Sequence, residues 1–187
     1  MRRKNSTAFP SPWTEFLQEL DALLPDKVAL HCIGGFVASL CYSLPRPTGD
    51  IDYFSIMPMH CANALQALAG EGSALARKHK IRLHYVTVNT LPEDYAERLV
   101  EMFPGEFKKL RLYAPDPYDL ILSKLERNSP KDRDDVEYLA RTCDLRPEIL
   151  RERYETEMRP NLIGNEARAD LTLKLWLESF FPAAPAS

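Results

Sequence analysis

The feature that most constrains the fold of this chain is a pair of glycines at the end of an apolar segment. Residues 27–33 read as a β-strand, Gly34 and Gly35 follow, and residues 35–43 read as a helix. Glycine suits a tight strand-to-helix turn because it adopts backbone angles that other residues avoid. The free N–H groups and the dipole at a helix N-terminus favour a phosphate group. The pattern therefore predicts either a phosphate-binding turn or a turn with a structural role only.

Two carboxylates lie at the start of the next predicted strand, which covers residues 51–57 and directly follows Asp50. Asp50 and Asp52 are two residues apart, so both side chains project from one face while Ile51 points into the core. Two adjacent carboxylates suit Mg²⁺ or Mn²⁺, and Mg²⁺ also takes oxygens from substrate phosphates. A pair of solvent-facing acids on an edge strand is the structural alternative. Arg46, in the preceding loop, is either a loop charge or a phosphate ligand.

A second group of charged residues lies on the helices predicted after the sheet. Lys124 and Arg127 are three residues apart and share a helix face. Residues 129–132, Ser-Pro-Lys-Asp, form a helix start, so capping is one complete explanation for Asp132. Asp135 follows one turn later. Such spacing usually marks a solvated face, whereas a lysine in a nucleotide site binds the triphosphate as a point charge.

These two blocks resemble the motifs of the minimal nucleotidyltransferases, in which a Gly-Gly or Gly-Ser turn precedes an Asp-x-Asp strand. Residues 116–135, with a lysine followed by Lys-Asp-x-x-Asp, are similar to motifs of the abortive-infection nucleotidyltransferase toxins and their uncharacterised bacterial relatives. The resemblance covers residues 28–142. It implies an α/β (α+β) fold, with a mixed sheet carrying flanking helices and a helical C-terminal part.

The resemblance also implies an activity. A Mg²⁺-dependent (or Mn²⁺-dependent) enzyme would transfer a nucleoside monophosphate from a nucleoside triphosphate to an acceptor and release pyrophosphate. The acceptor stays open between RNA such as tRNA, a protein and a small molecule, and a cognate toxin or antitoxin is the expected protein partner. The candidate residues are Asp50 and Asp52 for the metal and catalysis, Gly34, Gly35, Arg46, Lys124 and Arg127 for the nucleotide, Lys124 and Asp132 for catalysis, and Asp135 and His84 as further candidates.

One departure from the family pattern concerns a third carboxylate. Many nucleotidyltransferases carry it on the strand after the Asp-x-Asp strand, but the predicted strand at residues 81–88 contains no acid. Asp132 or Asp135 supplies the third acid, His84 serves as the base, or the base is missing. The last case favours the alternative function, an inactive nucleotide-binding or antitoxin-like module on the same fold. Basic residues at 77–82 either lie on a solvated face or guide an RNA backbone.

Composition is that of an ordinary globular protein. The chain has 187 residues, of which 45% are hydrophobic and 27% charged, and a net charge of −3 argues against a general nucleic-acid binder. The four cysteines lack metal-site spacing, which favours reduced, buried thiols and a cytoplasmic location. No secretory signal or membrane-length apolar run is present in this sequence. It also lacks the Gly-x-x-x-x-Gly-Lys-Ser/Thr loop of enzymes that cleave the terminal phosphate.

Hydrophobic periodicity predicts the remaining elements. An α/β core at residues 1–115, with a flexible arm at 1–11, is expected to precede a helical part at 116–181 and a flexible tail at 182–187. The core should hold a strand at 107–113 and helices at 13–24, 61–79 (interrupted near 70–72) and 92–103. The helical part should hold helices at 117–127, 130–142, 147–158 and 166–181.

Overall fold

The computed structural model describes residues 11–46, 48–87 and 90–181. Within them, residues 11–46, 48–87 and 99–115 form one compact unit, the sheet unit, and residues 90–98 and 116–181 form another, the helical unit. The predicted fold class is confirmed, since a mixed five-stranded sheet with helices is followed by a helical region. The predicted terminal arm and tail, except Ser11, lie outside the described residues.

A mixed sheet is the framework of the sheet unit. Its strands in chain order are β1 (Val28–Cys32), β2 (Asp50–Met57), β3 (Arg82–Tyr85), β4 (Val100–Met102) and β5 (Leu110–Ala114). The spatial order is β3-β2-β1-β5-β4, with β1 parallel to β5 and β2 parallel to β3. The pairs β1–β2 and β4–β5 are antiparallel. The unit also contains the helices α1 (Trp13–Leu23), α2 (Gly34–Tyr42), α3 (Ala62–Ala69) and α4 (Ala74–His79), and the 3₁₀ turn Met59–Cys61.

Alternation along β2 separates a buried face of the sheet from a partly exposed face. Ile51 and Tyr53 are buried, and helices α2, α3 and α4 contact strands of this sheet. The side chains of Asp50 and Asp52 are 44% and 25% exposed. The predicted placement of the two acids on one face, with Ile51 behind them in the core, is therefore confirmed.

The carboxylate of Asp21 joins helix α1 to the start of β5. Its oxygens accept hydrogen bonds from the backbone N–H groups of Lys108, Lys109 and Leu110 at 3.0, 2.7 and 2.7 Å. The strand predicted from residue 107 begins at Leu110, because the N–H groups just before it bind a side chain instead of a strand. Burial alone would raise the pKa of Asp21, but the three N–H groups hold that pKa below its ordinary value.

The helix predicted over residues 92–103 is wrong in its second half. A 3₁₀ helix, Glu93–Arg98, is followed by strand β4, which pairs with β5. The pairing places Val100 opposite Ala114. Because β5 lies ten residues further along the chain, local periodicity does not report this contact, and strand pairing overrides helical propensity. The strand predicted at residues 81–88 is also shorter than expected, and its residue 88 lies outside the described residues.

Four α-helices occur in the described part of the helical unit. They are α5 (Pro117–Leu122), α6 (Pro130–Thr142), α7 (Pro147–Arg153) and α8 (Glu166–Phe180). The first three begin at a proline, whose missing N–H is not needed in the first turn. The helix predicted to residue 127 ends at Leu122, and α7 continues as the π-helical turn Tyr154–Met158 and the 3₁₀ turn Arg159–Asn161.

A network of charged side chains connects the elements of the helical unit. Arg98 donates hydrogen bonds to Asp119 at 2.8 and 3.2 Å and to Glu157 at 2.6 and 3.3 Å. Arg153 donates to Asp119 at 3.0 Å and to Asp116 at 2.8 and 2.9 Å. Asp119 is fully buried, and this burial raises its pKa. Loss of either arginine would remove one of the two counter-charges of buried Asp119. The pairing of Arg98 with Asp119 connects the 93–98 segment to α5.

The cysteines agree only in part with the prediction of buried, reduced thiols. Cys32, Cys61 and Cys143 are buried as free thiols, whereas Cys41 is exposed, contrary to the expectation of buried thiols.

Among the described residues, no helix has both the length and the apolar character required to cross a bilayer.

We expect Asp21→Asn to lower the free energy of unfolding by about 1–3 kcal/mol at pH 7, because an amide replaces a charged acceptor of three backbone N–H groups. The folded pKa is depressed, so the stabilisation is present above the unfolded pKa of about 3.9 and is lost as pH falls below it. Urea unfolding between pH 7 and pH 2 measures both effects. The exposed Asp26→Asn is the control, and an equal loss in both variants would contradict the role of Asp21.

Candidate functional site

Gly34 places the start of α2 directly against the carboxylate of Asp52. Its φ is +75°, in the region that favours glycine. A Cβ atom on Gly34 would lie 2.5 Å from Asp52 Oδ2. The N–H of Ile33 donates to the backbone carbonyl of Asp52 at 2.9 Å, which holds the turn to β2. Both backbone conformation and space therefore require glycine, and the helix N-terminus lies beside a carboxylate.

The guanidinium of Arg46 lies against the second glycine. A Cβ atom on Gly35 would be 3.3 Å from Arg46 Nη2. Ser39 Oγ donates to the backbone carbonyl of Arg46 at 2.8 Å, which ties the loop to α2. The turn thus combines a planar cation with the N–H groups of a helix start, and both attract phosphate oxygens.

Each carboxylate of the Asp pair has a basic partner on β3. The parallel register sets Asp50 opposite Arg82 and Asp52 opposite His84. Arg82 Nε donates to Asp50 Oδ1 at 2.8 Å, and His84 Nδ1 lies 2.8 Å from Asp52 Oδ1. The side chains of Arg82 and His84 are 38% and 55% exposed, so this face stays open to solvent.

Arg82 is the site residue that sequence reasoning missed, because it was grouped with the basic residues at 77–82. The missed signal is the spacing of Arg82 and His84, which are two residues apart as Asp50 and Asp52 are. Two strands that alternate in phase present such pairs on the same face. In the structure Arg82 contacts an acid of the site, which ties it to β2.

The donor atoms of the Asp pair fit one divalent cation that also takes oxygens from a phosphate. Both Oδ1 atoms are engaged by β3, and no described residue donates to either Oδ2 atom. Mg²⁺ and Mn²⁺ bind through one or two carboxylates together with substrate phosphates. In the described part of the chain, no group of three or more His, Cys, Asp or Glu side chains could hold a metal by itself.

The second group of candidate residues surrounds a buried lysine in the helical unit. Lys124 Nζ donates to Asp135 Oδ2 at 2.8 Å and lies 3.7 Å from Asp132 Oδ1. All three side chains are at most 2% exposed. The ammonium group is therefore held by two acids of α6. The solvated helix face that the spacing of Lys124 and Arg127 usually indicates does not apply to Lys124.

Asp132 combines the predicted capping role with two ion pairs. It forms a capping box with Ser129, as the sequence predicted. Arg127, whose side chain is 70% exposed, donates to its two oxygens at 2.7 and 2.6 Å. Burial alone would raise the pKa of Asp132, but hydrogen bonds from Arg127 and Ser129 and the charge of Lys124 lower it to about 2.

The candidate residues fall into two groups. Within the sheet unit, the structure brings together one set: Gly34, Gly35, Arg46, Asp50, Asp52 and His84. Within the helical unit it brings together the other: Lys124, Arg127, Asp132 and Asp135. The expectation that Lys124 lies within reach of the Asp pair joins residues of different units and stays a prediction.

We expect Gly34→Ala to destabilise the protein more than Gly72→Ala. Both glycines have φ of +75°, but a Cβ atom on Gly72 would meet nothing within 4 Å. Gly72→Ala should cost about 1–2 kcal/mol for the left-handed backbone alone. Gly34→Ala should cost a further ~1–3 kcal/mol because Asp52 must move. Urea unfolding of the two variants measures the difference, and equal losses would contradict the close approach.

We expect Asp132→Asn to lower the free energy of unfolding by about 2–3 kcal/mol at pH 7, which is the free energy that corresponds to the lowered pKa. Because the folded pKa is about 2, the difference from the wild type should persist above the unfolded pKa of about 3.9 and vanish as pH falls to about 2. Asp134→Asn, on the exposed face of the same helix, is the control. A difference that does not change with pH would contradict the ion-pair account.

Comparison with known proteins identifies the family. A family model described as "Nucleotidyltransferase of unknown function (DUF6036)" matches residues 13–178, which include every candidate residue of both groups. No curated protein and no solved structure matches the chain. The resemblance to nucleotidyltransferases is thereby confirmed, whereas the relation to abortive-infection toxins stays a prediction. With most of its length matched, the chain belongs to this family of nucleotidyltransferases of unknown function.

Proposed function

We propose that this protein transfers a nucleoside monophosphate from a nucleoside triphosphate to an acceptor and releases pyrophosphate, with Mg²⁺ or Mn²⁺ at Asp50 and Asp52. The observation that carries the proposal is the contact between Gly34 and Asp52. It sets the N-terminus of α2, which favours phosphate, beside a carboxylate that suits the cation. A site for a metal-bound triphosphate needs these two features next to each other.

The sheet unit supplies the groups that bind the nucleotide in this proposal. Arg46 and the N–H groups at Gly34 and Gly35 bind phosphate oxygens, since a guanidinium and a helix start both donate to anions. Asp50 and Asp52 hold the cation through their Oδ2 atoms. When bound, the cation neutralises phosphate charge and aligns the oxygens that react.

The helical unit supplies further charges. Arg127 is the cation of its cluster that solvent reaches, because its side chain is 70% exposed. It donates to both oxygens of Asp132, so contact with a phosphate would draw it away from that acid. Lys124 is 2% exposed and bound to Asp135, so a direct contact with the triphosphate would require it to leave that acid. We therefore assign Lys124 a positioning role for Asp132. Asp132 is itself 1% exposed, so it orients an acceptor only once Arg127 leaves its oxygens.

A second candidate function is nucleotide binding without turnover. The specific observation in its favour is that β3 presents Arg82 and His84 to the Asp pair, where many nucleotidyltransferases have a third acid. Binding of nucleotide with no labelled product would favour this function. An antitoxin-like role, and a cognate toxin or antitoxin as partner, depend on the sequence resemblance alone.

The reaction can be tested with nucleoside triphosphates labelled at the α- or the γ-phosphate, with total tRNA and, separately, lysate protein as acceptors. We expect the α-label in an acceptor and the γ-label in pyrophosphate. Asp52→Asn should lower the labelling on the order of 100-fold, as the loss of a charge-stabilising group does, and Asp26→Asn should leave it unchanged. Nucleoside diphosphate and orthophosphate as the only products would contradict the proposal.

A further inference from the structure

We infer that the site binds one divalent cation with its nucleotide, and that Arg82 and His84 of β3 exclude a second. The inference rests on the proposed function of the Asp50–Asp52 pair. By this inference the chain departs from a two-metal arrangement, and these two residues of β3 are responsible.

The register of β2 and β3 sets which residues of β3 lie opposite the two acids. β3 is the strand hydrogen-bonded to β2 on the side away from β1, and its alternate residues lie opposite the two acids. Arg82 and His84 occupy these positions, with nitrogen atoms 2.8 Å from the Oδ1 atoms of Asp50 and Asp52. A third carboxylate on this strand that could join both acids in holding metal ions would need one of these positions.

The charges around the two acids also favour a single cation. Two-metal sites hold ions about 3.5–4 Å apart, which brings four positive charges together. Here the two acids supply two negative charges, and Arg82 already neutralises one of them. Glu71 also pairs with Arg82, at 2.9 Å, but its side chain is 82% exposed and such a pair contributes little. The charge that remains on the acids suits one cation, with the nucleotide phosphates completing its ligands.

The number of free ligand atoms leads to the same conclusion. Each acid keeps one oxygen, Oδ2, to which no described residue donates. Two oxygens, with those of a phosphate, are enough for one Mg²⁺ or Mn²⁺, which keeps several waters. A second ion would have to share these oxygens beside the guanidinium of Arg82. The missing acid and the two contacts from β3 are therefore one feature, which limits the site to a single ion.

The test counts Mn²⁺ ions by electron paramagnetic resonance on the full chain, saturated with an α,β-methylene nucleoside triphosphate that cannot react. We expect one bound Mn²⁺ per chain in the wild type, which is the ion that the nucleotide phosphates share with the two acids. His84→Asp, which restores an acid on β3, should bind two. His60→Asp makes the same change at an exposed histidine of the 59–61 turn and should bind one. His84→Glu gives a second acidic variant if His84→Asp melts early.

The outcomes separate this inference from the function on which it rests. Two ions in the wild type would overturn it, as would one ion in both acidic variants when these melt at the temperature of the wild type. Nucleotide binding with no ion would overturn the inference and leave the nucleotide site standing. A chain whose melting temperature does not respond to nucleotide with Mn²⁺ would overturn the proposed function, and the inference with it.

Discussion

The close approach of Gly34 to Asp52 is the contact on which the candidate site depends. A side chain at Gly34 would occupy the space of the carboxylate, and the left-handed backbone there directs the chain into α2. In the same turn, the N–H of Ile33 donates to the backbone carbonyl of Asp52 in β2. This backbone hydrogen bond fixes the helix start to the strand that carries the acid. Arg46 then adds a cation to a framework that is already rigid.

On the exposed face of the sheet, the contacts between the acids of β2 and the basic residues of β3 decide what the acids can do. Asp50 and Asp52 are held by two basic residues of β3 at hydrogen-bond distance. Their positions are therefore fixed in the absence of metal, and their mutual repulsion is relieved. The same pairing removes two oxygens from the set that a cation could use. A site with these contacts has its phosphate-binding groups in place but has fewer metal ligands than a two-metal enzyme needs.

Charged residues in the helical unit serve the fold as well as any reaction. Lys124, Asp132 and Asp135 are buried together, and Asp119, the partner of Arg98, is buried elsewhere in the same unit. Removal of one partner from such a pair leaves a buried charge that the protein must then accommodate. Loss of activity in a variant of these residues is therefore informative only together with a measurement of stability.

The sequence by itself determined the elements that local rules govern. Alternation and the glycine pair predicted β1, α2 and β2, and the capping residues Ser129 and Asp132 predicted the start of α6, because these signals act between residues a few positions apart. Tertiary structure alone decided that residues 100–102 form a strand, that Arg82 pairs with Asp50 and that Lys124 is buried between acids. Each of these depends on a partner eight or more residues away along the chain, and periodicity identifies the face of an element but not what lies opposite it.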